Sequence, residues 1–104
     1  MFTELTDATY AKAVANTTIG LILCKKHLCP HCKNMAKVIE KFSAAVPGLT
    51  YYSIDSQESE AALVGVGAQR VPTICVIKNG VVTGTKSGLM NPRELEAFFR
   101  AAVA

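Results

Sequence analysis

The chain has 104 residues, half of them hydrophobic, with a formal net charge of +3. That balance fits one compact domain spanning residues 1–104 with a real core, and it excludes a disordered chain. The charge is too weak, and no Lys/Arg run long enough, to point to a nucleic-acid partner.

Phe2 to Leu5 reads as a short first strand. Before Thr6 there is no basic segment followed by an apolar one, so no signal peptide is expected. Thr6 or Asp7 is expected to cap a helix running to about Asn16, with Tyr10 and Val14 on one face. Thr17 to Lys25 reads as a strand. Its centre, Ile19 to Cys24, is apolar apart from Gly20, as in a strand covered on both faces. This is also the longest apolar stretch, far too short to cross a membrane. The simplest expectation is a soluble cytoplasmic protein.

Next comes Lys26-His27-Leu28-Cys29-Pro30-His31-Cys32-Lys33. A helix from about Cys32 to Val46 follows, with Met35, Val38, Ile39, Phe42 and Val46 on its apolar side. Pro47-Gly48 ends it. Leu49 to Asp55 reads as a third strand and Ser56 to Val64 as a short helix stopped by Gly65 and Gly67. Thr73 to Lys78 and Val81 to Lys86 are strands joined by Asn79-Gly80, a two-residue hairpin signal. Asn91, Pro92 and Glu94 open a last helix whose buried stripe is Leu95, Phe98, Phe99 and Val103. The order β-α-β-α-β-α-β-β-α predicts an α/β fold with a mixed sheet between helices and a site at the carboxyl end of the central strand.

Two thiols at this spacing, between strand and helix, place Cys29 at a helix N-terminus. There the positive end of the helix favours a thiolate, the reactive form of cysteine. His31 when protonated, Lys26 and Lys33 add to that preference, which makes Cys29 the expected nucleophile. In a reducing compartment a lone Cys-x-x-Cys signals catalysis or metal binding rather than a structural staple. A metal site would draw on Cys29, Cys32, His27 or His31, but there is no second matched pair. Cys24 and Cys75 fall mid-strand among apolar residues and read as core thiols. Lys25, Lys26, His27, Lys33 and Arg70 either steer acidic partners or form a solvated rim.

Taken together, Cys29-Pro30-His31-Cys32 between strand and helix, Val71-Pro72-Thr73 before a strand, Lys78-Asn79-Gly80 at a hairpin and Gly88 before the final helix closely resemble the thioredoxin family, from about Phe2 to Val103. The Cys-Pro-His-Cys site resembles the atypical, desulfothioredoxin-like branch of it. The resemblance implies the thioredoxin fold, with a mixed five-stranded sheet flanked by four helices. It implies a protein-disulfide oxidoreductase in which Cys29 attacks and Cys32 resolves, with a redox-active Cys29–Cys32 disulfide and no bound cofactor. Val71–Pro72 would be a cis peptide facing the cysteines, with Val71 offering its backbone to substrate and Arg70 and Gly88 beside it. The implied partners are disulfide-containing proteins and a thioredoxin-reductase-type flavoenzyme, met by a monomer that contacts no membrane.

Several positions depart from the common pattern: Leu28 replaces a Trp, Pro30-His31 a Gly-Pro, Leu23 a buried Asp, Tyr51 its Lys partner, Lys37 a helix-kinking Pro, and Arg70 a Gly. By stabilising the Cys29 thiolate, His31 would make the couple less reducing than an ordinary thioredoxin. The alternatives are a glutaredoxin-like or oxidase/isomerase role in the same fold, and a non-catalytic metal-binding or docking module.

Overall fold

The computed structural model describes residues 1–104. Its elements are β1 (Thr3–Leu5), α1 (Tyr10–Ala15), β2 (Ile19–Lys25), α2 (Pro30–Ala45), β3 (Thr50–Asp55), α3 (Glu60–Gly65), β4 (Thr73–Lys78), β5 (Val81–Ser87) and α4 (Pro92–Val103). The sheet runs β1-β3-β2-β4-β5. β1 and β2 flank β3 in parallel, while β4 pairs antiparallel with both β2 and β5. This is the mixed five-stranded sheet with four helices read from the sequence.

The apolar run in β2 is continuous because both of its faces are covered. Ile22 and Cys24 point with Ile54, Cys75 and Ile77 toward Val14 of α1 and Leu63 of α3. Leu21 and Leu23 point with Ile74 and Val76 toward Met35 and Ile39 of α2 and Leu95 of α4. Phe42 and Phe99 meet edge to face at 5.3 Å, locking α2 to α4. Each fully buried aliphatic side chain contributes about 1.5–3 kcal/mol. Gly20 interrupts the run because β3 comes too near for a side chain: a Cβ there would stand 2.6 Å from the Thr50 carbonyl oxygen.

Several boundaries differ from the sequence reading. α1 begins at Tyr10 with Thr9 as its N-cap residue, because Thr6 to Thr9 close a turn of their own. Asp7 serves a different helix: its Oδ1 accepts a 2.8 Å hydrogen bond from the Ala62 N–H in α3. α2 starts at Pro30 rather than Cys32, since proline suits the first helical position and gives up only an N–H that the helix leaves free. α3 starts at Glu60 rather than Ser56, because Asp55 Oδ1 accepts the N–H groups of Gln57 and Glu58 and holds them in a turn. Asn91 and Glu94 form the expected reciprocal cap of α4. Asn79 and Gly80 both have positive φ, as a tight hairpin requires.

Tyr51 stands on the α2 face of β3, edge to face with Phe2. Its hydroxyl is the one buried side-chain polar atom without a hydrogen-bond partner, and burial pushes its pKa up. Tyr51→Phe is therefore expected to stabilise the fold by about 1 kcal/mol in urea unfolding. A loss of stability of similar size would show that the hydroxyl has a favourable partner.

Candidate active site

β2 ends at Lys25, and after four intervening residues the chain enters α2 at Pro30. Cys29 is the N-cap residue of that sixteen-residue helix, Pro30 occupies its first turn, and Cys32 lies within the turn. The two cysteines form a disulfide, with Cα atoms 5.2 Å apart. The Cys32 N–H donates to Cys29 Sγ at 3.2 Å, so a backbone dipole already points at the first sulfur. Cys32 is only 4% exposed, whereas Cys29 is half-buried. An attacking or attacked sulfur must be reachable, and of the two Cys29 is the reachable one. His31 is exposed on the first turn of α2.

Leu28, just before Cys29, is 99% exposed and has a φ of 54°. A side chain beyond glycine in this left-handed region costs roughly 1–2 kcal/mol. Such local strain next to a reactive group is common at functional sites.

On the other side stand Arg70, Val71, Pro72 and Gly88. The Val71–Pro72 peptide bond is cis. The Gly88 N–H donates to the Pro72 carbonyl at 2.9 Å, and Thr73 Oγ1 donates to the Arg70 carbonyl at 2.6 Å. These bonds tie the loop before β4 to the end of β5. Because Thr73 pairs with Cys24, this bend sits at the sheet end where β2 releases the cysteine loop. The structure thus gathers every candidate residue from the sequence at one end of the sheet. Leu23, in place of a carboxyl, is buried in the apolar layer under α2.

One participant escaped the sequence reading. Asp55, the last residue of β3, is 2% exposed and pairs in register with Lys25. Its Oδ2 lies 3.7 Å from His27 Nε2, and the neighbouring Ser56 N–H donates to the Lys25 carbonyl at 2.8 Å. These contacts brace the strand end from which the cysteine loop leaves. Burial pushes the Asp55 pKa upward, but hydrogen bonds from Gln57 and Glu58 and the charges of Lys25 and His27 outweigh it. The carboxyl therefore sits below its usual value of 3.8. A lowered folded pKa contributes stability that is fully present above the ordinary carboxylate value. It is lost as the pH falls through the folded value. Asp55→Asn is expected to cost on the order of 1–3 kcal/mol at neutral pH and to flatten the acid limb of stability. Urea unfolding of both proteins across the acid range checks this; parallel curves would overturn it.

Cys24 and Cys75 are both fully buried, and the neighbouring Cys75 thiol together with burial pushes the Cys24 thiol up. Such a thiol stays protonated and unreactive. The one group of three side chains close enough to share a cation is His27, Asp55 and Glu58, and neither Cys29 nor Cys32 belongs to it.

The Thioredoxin family model matches residues 1–101. A thioredoxin of Haemophilus influenzae is 26% identical over 97 residues, covering 91% of each chain. The solution structure of reduced desulfothioredoxin from Desulfovibrio vulgaris Hildenborough is 36% identical, covers 96% of both chains and superposes with a TM-score of 0.84. A chain solved in work on the thiol resolving mechanism of yeast mitochondrial 1-Cys peroxiredoxin gives a TM-score of 0.85 at 23% identity, covering 96% of this chain and 94% of that one. That last likeness is one of fold.

Proposed function

Because the chain belongs to the thioredoxin family and is a thiol–disulfide oxidoreductase, we propose that Cys29 is its attacking thiol and Cys32 its resolving thiol, acting on protein disulfides. The observation that carries this reading is the difference in access: Cys29 is half-buried at the mouth of α2, while Cys32 is nearly sealed. In the reduced protein the Cys29 thiolate attacks one sulfur of a substrate disulfide. A mixed disulfide forms and one substrate thiolate leaves. The Cys32 thiolate then attacks Cys29 Sγ, the second substrate thiolate leaves, and the Cys29–Cys32 disulfide remains. Two electrons pass to the substrate. A thioredoxin-reductase-type flavoenzyme returns them from outside the chain.

Val71 offers its backbone beside the cis bond to the substrate chain, with Arg70 and Gly88 flanking it. No helix is long and apolar enough to cross a membrane, and the reading is of a monomer working in the cytoplasm without a bound cofactor. The positive surroundings of Cys29 favour a second reading. Lys26 and Lys33, with His31 when it is protonated, support the thiolate and hence a weaker reductant, suited to readily reduced disulfides, isomerisation or oxidation, as in glutaredoxin-like exchange.

Insulin reduction driven by dithiothreitol tests the proposal. The wild-type protein is expected to speed precipitation of the insulin B chain, and Cys29→Ser to leave it at the buffer rate. Equal rates for the two proteins would overturn the assignment.

A further inference from the structure

A groove of about 280 Å³ opens beside the disulfide, lined by both cysteines. It contains none of the Arg70–Pro72 and Gly88 shoulder. Lys25, Lys26, His27 and Lys33 line it, with Phe2 and Leu23 among its apolar walls and Leu28 only at its rim, and no carboxylate does. Of the carboxylates near its rim, Glu4 lies 3.9 Å from Lys25 and Asp55 3.7 Å from His27, and Glu58 clusters with His27 and Asp55 within 4.8 Å. Lys26 and Lys33 make no ion pair, nor does Arg70 on the opposite shoulder. The groove beside the disulfide therefore keeps two cations, Lys26 and Lys33, that no ion pair compensates.

Leu28 adds a second observation. A lone exposed leucine is ordinary. This one is held almost completely in solvent by a left-handed backbone, one residue from the reachable sulfur. Standing proud of the surface, it cannot enclose a small molecule. It can press into an apolar spot on a partner large enough to reach both it and the lysines. The groove, slightly smaller than common ligand pockets of about 300–1,000 Å³, suits a few side chains of such a partner.

Resting on the oxidoreductase reading above, we propose that this groove receives the acidic flank of a disulfide-bearing polypeptide. Lys26 and Lys33 meet its carboxylates, and Leu28 meets an apolar residue beside its cysteine. Charge complementarity then selects substrates chiefly through the rate of encounter, which salt screens.

The test uses two peptides of equal length whose cysteine is disulfide-linked to mercaptoethanol, flanked by Glu in one and Lys in the other. Each rate with the reduced protein is divided by the rate of the same peptide with dithiothreitol. The acidic peptide is expected to lead by about tenfold at low salt and to approach parity near about 1 M salt. Lys26→Glu with Lys33→Glu is expected to abolish or invert the ratio, and Leu28→Ser to slow both peptides alike. A wild-type ratio near one, or a ratio that survives the double reversal, overturns the proposal. So does dithiodiglycolate, a small dicarboxylate disulfide, if it gains as much as the acidic peptide, because the groove would then be a site for small anions. Hydroxyethyl disulfide separates the two levels. If the wild-type protein reduces it, Cys29→Ser does not, and the peptide ratio is one, only the acidic-partner proposal falls. If no disulfide reacts, the oxidoreductase reading falls with it.

Discussion

Cys32→Ser is expected to accumulate as a covalent adduct with its substrate, while Cys29→Ser neither forms an adduct nor turns over. The expectation follows from the first turn of α2. Cys29 is the N-cap residue and Cys32 lies three residues on, which brings their Cα atoms to 5.2 Å. That spacing is built into the helix start, so Cys32 is always in reach of whatever sulfur is bonded to Cys29. Well-oriented intramolecular groups act with effective concentrations on the order of 10⁵ M or more. A mixed disulfide on Cys29 is therefore short-lived while Cys32 is present and persists once it is a serine. The reverse variant has no such species, because Cys32 is 4% exposed and a folded substrate cannot reach it. Mass spectrometry of acid-quenched mixtures with a protein disulfide reads both results. An adduct on Cys29→Ser at the wild-type rate would reverse the two roles. Folding failure is separable, since circular dichroism of both serine variants is expected to match the wild type.

The parts of this site visible in the sequence are those written within one helical turn or one strand. The two-faced run of β2, the Asn79-Gly80 hairpin and the Asn91-Pro92-Glu94 helix start each carry their signal in adjacent residues. The misses share a different cause. Asp7 looked like the cap of its own helix, yet its carboxylate serves Ala62, fifty-five positions away. Asp55 looked like the polar end of a strand. Its importance comes from Lys25 and His27, which only the parallel pairing of β2 and β3 brings beside it. Its turn toward Gln57 and Glu58 also delayed the start of α3. The left-handed backbone of Leu28 had no signal at all, because glycine and asparagine mark such positions and leucine does not. Proximity created by the sheet, rather than propensity, decided these points.

The midpoint potential of the Cys29–Cys32 couple is expected to lie above that of ordinary thioredoxin, about −270 mV. The disulfide carries no charge and the reduced form gains a thiolate, so any positive surroundings favour reduction and raise the potential. Here the N-terminus of a sixteen-residue helix, the Cys32 N–H and the unpaired Lys26 and Lys33 all act on Cys29, and a protonated His31 adds to them. Leu23 stands where a carboxylate would oppose them from beneath, and the buried carboxylate at this end of the sheet, Asp55, is taken up by the N–H groups of Gln57 and Glu58 and by His27. His31→Pro removes one of these influences and leaves the helix start intact, since proline is tolerated in a first turn. It is expected to lower the potential by on the order of 20–30 mV, the scale of one charge acting across solvent. A thiol/disulfide buffer series, quenched by alkylation and read by mass, measures both proteins. A wild-type value near about −270 mV would mean that the fold overrides the dipeptide and the protein is a general reductant. A raised value that His31→Pro leaves untouched would assign the effect to the helix and the lysines alone. A raised value that falls in the variant makes His31 the residue that limits this protein to readily reduced disulfides.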